Sequence, residues 1–210
     1  MAKRLFGTDG IRGVAGQAPL DPATITALGI ALGDDLNNQG IGNKQVLIGI
    51  DTRESGPAIA AQLVDGLKRS GVGALFAGVV TTPGVAYLTR TGDFSAGVMI
   101  SASHNPFEDN GIKVFARTGY KLPDEEEHEI EEEIFRILEG DSAGESDSTG
   151  AAENLPAAEL AETFDVRPYL DFLLSTIRTK LNGLKLVIDC GNGAASKRRL
   201  FQDMGLEPTA

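Results

Sequence analysis

Residues 97–106 read Gly-Val-Met-Ile-Ser-Ala-Ser-His-Asn-Pro, an apolar run that breaks into a polar loop. The run Gly97 to Ile100 has the length and composition of a buried strand. Pro106 lacks an N–H and biases the residue before it away from helix, so it ends the regular structure. The pattern places Ser103 and His104 on a tight loop at the carboxyl end of a strand. In α/β proteins that edge is where ligands bind. Two readings are open on these residues alone. Ser103 is an ordinary turn hydroxyl, or it is a serine that attacks or carries a covalent group. A hydrolase triad is disfavoured. His104 and His128 are the two histidines, and His104 follows Ser103 directly. Neighbouring side chains diverge in extended backbone, and no Gly-x-Ser-x-Gly elbow surrounds Ser103.

Working outward, helical and strand patterns alternate, which predicts an α/β fold. Asp21-Pro-Ala opens a helix to about Asn38, with Asp as cap and Pro in the first turn. Val46 to Ile50 is an apolar strand, followed by the loop Asp51-Thr-Arg-Glu-Ser-Gly. Residues 57–70 form a helix with Ile59, Leu63 and Leu67 on one face. Ala74 to Val80 is a strand, and Thr82-Pro83 opens the next helix. Asn110-Gly111 reads as a turn before a short strand, Ile112 to Phe115. Pro123 to Glu139 is a helix with Ile130, Ile134, Phe135 and Leu138 in one stripe. The Gly-, Ser- and acid-rich residues 140–158 suit a link. Residues 165–181 look helical, Gly183 to Asp189 forms a strand, and Gly191 begins another helix.

Composition bounds the function. The 210 residues carry 41% hydrophobic content, ordinary for a globular chain. No apolar run approaches the roughly 20 residues that span a bilayer, and the N-terminus lacks the apolar stretch of a secretory signal. Cys190 is the only cysteine, which excludes an intramolecular disulfide and fits a cytoplasmic setting. It ends an apolar segment and reads as a small buried residue. Net charge is −11, and residues 121–160 hold 14 acids against 2 bases. Eight of the ten residues 124–133 are Asp or Glu, which reads as a solvated helix face. No basic, aromatic-rich patch points to nucleic acid. Gly191-Asn-Gly193 lacks the spacing of a nucleotide loop.

Residues 6–13 read Phe-Gly-Thr-Asp-Gly-Ile-Arg-Gly. By themselves they make a plain glycine turn or an anion nest of backbone N–H groups. Together with Ile100-Ser-Ala-Ser-His-Asn-Pro-Phe107 and Asp109-Asn-Gly-Ile-Lys113, they resemble the α-D-phosphohexomutase superfamily, and within it the bacterial phosphoglucosamine mutases. The likeness runs over nearly all of the chain, including Leu186-Val-Ile-Asp-Cys-Gly-Asn-Gly-Ala194.

That resemblance implies a mixed-sheet α/β/α first domain over residues 1–160 and the incomplete start of a second, similar domain over 161–210. It implies that Ser103 is the phosphoserine, and that its phosphate gives one oxygen to a bound Mg²⁺. Arg12 would hold the serine loop and the transferring phosphoryl group, with Thr8 and Lys113 on phosphate or substrate. His104 and Lys113 match positions that orient the substrate hydroxyl and move its proton. Lys113 also reads as a lysine that merely neutralises nearby acids, and Arg53 as a phosphate ligand or a simple ion-pair partner. The implied reaction interconverts glucosamine 6-phosphate and glucosamine 1-phosphate through a bisphosphorylated sugar, in amino-sugar supply to the cell wall. Phosphomannomutase or phosphoglucomutase activity, or a non-catalytic phosphosugar-binding role, are the alternatives.

The resemblance also implies a metal loop, a sugar-selecting loop and a phosphate loop in later domains. No Asp-Gly-Asp-Gly-Asp occurs in this sequence. Positioning supplies much of phosphoryl-transfer catalysis, so this chain alone is expected to show no turnover. The incomplete second domain is expected to leave apolar surface that favours self-association.

Overall fold

Strands and helices alternate along most of the chain in a computed structural model that describes residues 5–40, 42–143, 162–178, 185, 187–191 and 193–195. In chain order the elements are β1 (Ile11–Val14), α1 (Pro22–Asn38), β2 (Gln45–Ile50), α2 (Gly56–Arg69), β3 (Gly73–Val79) and α3 (Thr82–Thr91). They continue with β4 (Ala96–Ile100), β5 (Asp109–Ala116), α4 (Asp124–Ala143), β6 (Glu162–Thr163) and α5 (Arg167–Ser175). The sheet order is β1-β5-β4-β2-β3-β6. β2, β3, β4 and β6 pair in parallel, while β5 runs antiparallel to both β4 and β1. The alternating pattern predicts an α/β fold, and the mixed α/β/α sheet is the one the family resemblance implies.

The period-2 alternation of each strand sends side chains to two layers. Val46, Ile48, Val98, Ile100, Ile112 and Val114 face α1, α2 and α4, where Leu28, Leu63, Leu67, Ile130 and Ile134 complete the larger core. Leu47 and Met99 face α3, with Val85, Leu88 and Phe94. Helices α1 and α2 approach at glycine. A Cβ on Gly66 would lie 2.2 Å from the Thr26 carbonyl oxygen, and one on Gly29 would lie 2.5 Å from that of Leu63. Asp21 caps α1, accepting from the Thr24 N–H at 3.1 Å, as its position before Pro22 predicts.

Residues 162–178 attach to the same sheet. β6 pairs with β3, and the Phe164 N–H donates to the Phe76 carbonyl at 2.9 Å. Tyr87 of α3 stacks on Phe172 of α5 with ring centroids 4.3 Å apart, and Phe94 meets Phe164 edge-on at 5.1 Å. The strand expected at Gly183 to Asp189 and the helix expected after Gly191 fall largely outside the described residues.

Three expectations are corrected. Asn110-Gly111 is not a turn; both residues lie inside β5, opposite Gly13 and Arg12 of β1. The turn propensity is overridden because Gly111 fills a crowded strand position, where a Cβ would come within 2.8 Å of the Ser101 carbonyl oxygen. The acidic face of α4 is not wholly solvated, since Glu127 and Glu131 are buried. Glu127 receives Lys121 at 2.8 Å, and Glu131 accepts the backbone N–H groups of Leu5 and Phe6 at 2.8 and 3.0 Å. Cys190 is half-buried rather than buried. No helix among the described residues is long and apolar enough to cross a membrane.

Candidate functional site

The parallel pairing of β2 with β4 brings their carboxyl ends to one edge, with Ile50 opposite Ile100. Asp51 therefore stands beside Ser101, and the Asp51 N–H donates to the Ile100 carbonyl at 3.1 Å. The Ser101 hydroxyl donates to Asp51 Oδ2 at 2.7 Å and accepts the Ser103 N–H at 3.0 Å. Ser103 has φ +58°, the only non-glycine residue with positive φ among those described. A left-handed residue with a Cβ persists only where its surroundings impose it. Ser101 below and Arg53 beside the loop supply that constraint.

Arg53 is partly buried, with its side chain 9% exposed. Its Nε donates to Asp51 Oδ2 at 3.1 Å. The two terminal nitrogens reach the carbonyls of Ser103 at 3.0 Å, Asn105 at 2.9 Å, Asp109 at 2.8 Å and Pro106. Of the two readings of Arg53, the ion pair is the one observed, with Asp51 as its acid. The guanidinium fork is spent on main-chain oxygens, so Arg53 fastens the serine loop instead of facing a ligand.

The N-terminal motif arrives from the other side. Residues 7–10 form a tight turn in which the Gly7 N–H donates to the Gly10 carbonyl at 2.9 Å. Gly10 has φ +84°, and a Cβ there would sit 2.2 Å from the Ile112 carbonyl oxygen, so only glycine lets the turn lie against β5. Arg12 pairs with Gly111, and Lys113 lies two residues further along β5. Period-2 alternation puts both cations on the same face of the sheet. Asp9 Oδ2 bridges them, 2.7 Å from Arg12 and 2.6 Å from Lys113. The Lys113 hydrogen bond is the main reason the Asp9 carboxyl is held below its ordinary range, with Arg12 adding to it and partial burial opposing it. Arg12 also donates to Asn105 Oδ1 at 3.3 Å, and Asn105 donates to Asp109 at 3.0 Å. Arg12 thus touches the serine loop itself.

The structure brings Arg12, Lys113 and the Ser103 loop to one edge of the sheet. Ser103, Thr8 and His104 are exposed there. Neither Thr8 nor His104 joins a side-chain hydrogen bond or ion pair among the described residues. Lys113 pairs with Asp9 but is only 16% exposed, so it is not a surface lysine. Asp9, Asp51, Ser101 and Asn105 were not singled out from the sequence. The parallel neighbours β2 and β4 were the signal that could have found Asp51 and Ser101.

The described residues do not by themselves make a Mg²⁺ site. No group of three or more His, Cys, Asp or Glu stands together as metal ligands among the described residues. The nearby carboxylates are already engaged, Asp51 by Ser101 and Arg53 and Asp109 by Asn105. Ser103 is the one expected ligand that faces solvent, and it would serve only through a phosphate.

Residues 3–141 match the family described as phosphoglucomutase/phosphomannomutase, alpha/beta/alpha domain I. The chain is 52% identical over 209 residues to a phosphoglucosamine mutase of Solibacter usitatus, covering 99% of this chain and 44% of that protein. It is 51% identical over 195 residues to a phosphoglucosamine mutase of Koribacter versatilis, covering 92% and 41%. It also resembles the crystal structure of a phosphoglucomutase/phosphomannomutase family protein from Burkholderia thailandensis, with TM-score 0.74 at 28% identity, covering 98% of this chain and 43% of that one. The chain thus spans a little under half the length of these relatives.

Proposed function

We propose a phosphoryl-transfer role for this site, because the chain belongs to the phosphoglucomutase/phosphomannomutase family. Ser103 carries the phosphoryl group, and the whole protein interconverts glucosamine 6-phosphate and glucosamine 1-phosphate. The observation that carries this reading is the left-handed Ser103, pinned through Ser101 and Arg53 beside the cations Arg12 and Lys113.

In the proposed step, a sugar hydroxyl oxygen attacks the phosphorus of phospho-Ser103. The P–O bond to Ser103 Oγ breaks, and the hydroxyl proton leaves to a base. The product is a bisphosphorylated sugar, whose other phosphate returns to Ser103 in the reverse sense. Such transfer needs in-line placement and charge neutralisation more than covalent chemistry. Arg12 offers a planar donor fork and Lys113 a compact cation for the phosphoryl oxygens. Exposed His104, beside Ser103, and Lys113 are the candidates for moving the proton.

The relatives named phosphoglucosamine mutase support amino-sugar specificity; we extend this to a cytoplasmic place in cell-wall precursor supply. The broader family name favours phosphomannomutase or phosphoglucomutase as the second reading. We further propose that this chain alone binds a phosphosugar without turning it over, since it spans under half of its relatives. Intact mass and phosphopeptide mapping test the central point. Phosphate on Ser103, absent in Ser103→Ala, is expected after incubation with a hexose bisphosphate. An unmodified Ser103 under those conditions overturns it. A coupled assay for glucosamine 1-phosphate should show no turnover by the chain alone.

A further inference from the structure

Arg12 and Lys113 share one carboxylate oxygen, Asp9 Oδ2, at 2.7 and 2.6 Å. That is the arrangement two cations adopt around a phosphate oxygen. The three groups differ in how firmly they are held. Arg12 and Lys113 project from paired strands, and their side chains are 31% and 16% exposed. Asp9 is 51% exposed on a turn flanked by Gly7 and Gly10. The acid is therefore the member that can leave. The cations are also under-served by it. Arg12 Nε is buried with no hydrogen-bond partner, and one carboxylate leaves the trio with net charge +1. A dianionic phosphate monoester has one more charge and one more terminal oxygen than a carboxylate, so it can satisfy both cations together.

We propose that the Asp9 carboxylate is an internal stand-in for a phosphoryl group, holding Arg12 and Lys113 until a phosphate monoester displaces it and thereby setting the phosphate affinity of the site. This rests on the reading that phosphoryl groups are handled beside Ser103, and it adds a competitor built into the chain. The competition keeps two neighbouring cations compensated while the site is empty. It also weakens binding of small anions that cannot replace every contact Asp9 makes.

Calorimetric titration of the chain with inorganic phosphate, at fixed pH and ionic strength, tests this. Asp9→Asn is expected to bind phosphate about tenfold tighter than the unaltered chain, the scale of one charge-assisted hydrogen bond no longer to be broken. Asp9→Ser serves as a second variant should the first fold poorly. The gain should vanish when Arg12→Met is added. Asp124→Asn, which removes one exposed charge on α4, should bind phosphate as the unaltered chain does. Equal or weaker binding by both Asp9 variants overturns the proposal. So does an equal gain in the Arg12→Met background or in Asp124→Asn, because net charge would then explain it. Mapping of phosphate on Ser103 keeps the two readings apart. Tighter phosphate binding with an unmodifiable Ser103 leaves the exchange standing and removes the mutase reading, and the reverse result does the opposite.

Discussion

Asp51 holds Arg53 by its Nε at 3.1 Å, and this contact between residues two apart aims the guanidinium at a loop fifty residues away. The carboxylate uses the same oxygen to accept the Ser101 hydroxyl. One buried acid therefore grips the serine loop at two points, through Arg53 on its carbonyls and through Ser101 on the Ser103 N–H. The loop borrows its shape from the neighbouring strand end.

Removing Arg53 should loosen the loop and leave Asp51 buried without its cation. Arg53→Ala is expected to cost about 3 kcal/mol, the scale for breaking a buried charge pair. Arg53→Lys should recover part of that stability, because a lysine restores the charge but cannot reach several carbonyls in one plane. Urea unfolding midpoints check both variants. If the loop geometry matters for the chemistry, phosphate uptake by Ser103 should fall in Arg53→Lys by far more than its folded fraction does. Equal uptake by Arg53→Lys and the unaltered chain would remove Arg53 from any role beyond stability.

Ser103 itself separates conformation from chemistry. Its φ of +58° is costly for any residue with a Cβ. Ser103→Gly should therefore be more stable than Ser103→Ala by about 1 kcal/mol, although both remove the hydroxyl. Both should be blank in phosphopeptide mapping. Thermal denaturation that ranks alanine above glycine would show that the left-handed conformation is not imposed on the loop.

The strand before Ser103 and the placement of the serine at a strand end were legible because an apolar run and a proline act locally. The partners of Arg53 were not. They are carbonyl oxygens, which carry no sequence identity, and the pairing of β2 with β4 is what brings them near. Asn110-Gly111 misled because turn propensity is local, while its strand state is set by the approach of Ser101 and β1. The acidic run hid Glu127 and Glu131 among six other acids, and only the packing of α4 distinguishes the two that turn inward. Asp9 sat inside the quoted motif, yet its bridge depends on β1 and β5 pairing in one register.

Glu131 makes the acidic helix a support for the N-terminal motif. It accepts two backbone N–H groups, those of Leu5 and Phe6. Glu131→Ala would strand both donors, with the Phe6 N–H buried, and should cost about 2–4 kcal/mol. Glu131→Gln keeps an acceptor oxygen and should cost less. Hydrogen exchange should show faster amide exchange at Phe6 through Arg12 in Glu131→Ala, with the cores of β2 and β4 unchanged. Uniform acceleration across the sheet would mean that Glu131 supports the whole fold rather than this segment.

Asp35 should act in the opposite sense. It lies near the carboxyl end of α1, where the helix dipole disfavours an acid, in an acid-lined groove with Asp34, Glu129 and Glu133. Burial raises its carboxyl above the ordinary 3.8, Glu129 adds to this, and the Gln39 amide opposes it. Glu126 is raised for the same reasons, burial first and then Asp35 and Glu129. The folded state thus holds these protons more tightly than the unfolded chain does. The associated penalty is fully present once pH exceeds the folded value, and it disappears as pH falls below the unfolded one. Asp35→Asn retains an oxygen for Gln39 and should stabilise the protein by about 0.5–1 kcal/mol at pH 7. The gain should shrink to nothing at about pH 3, below the unfolded carboxylate range. Urea unfolding at the two pH values checks it, and a gain of the same size at both would assign the effect to packing rather than charge.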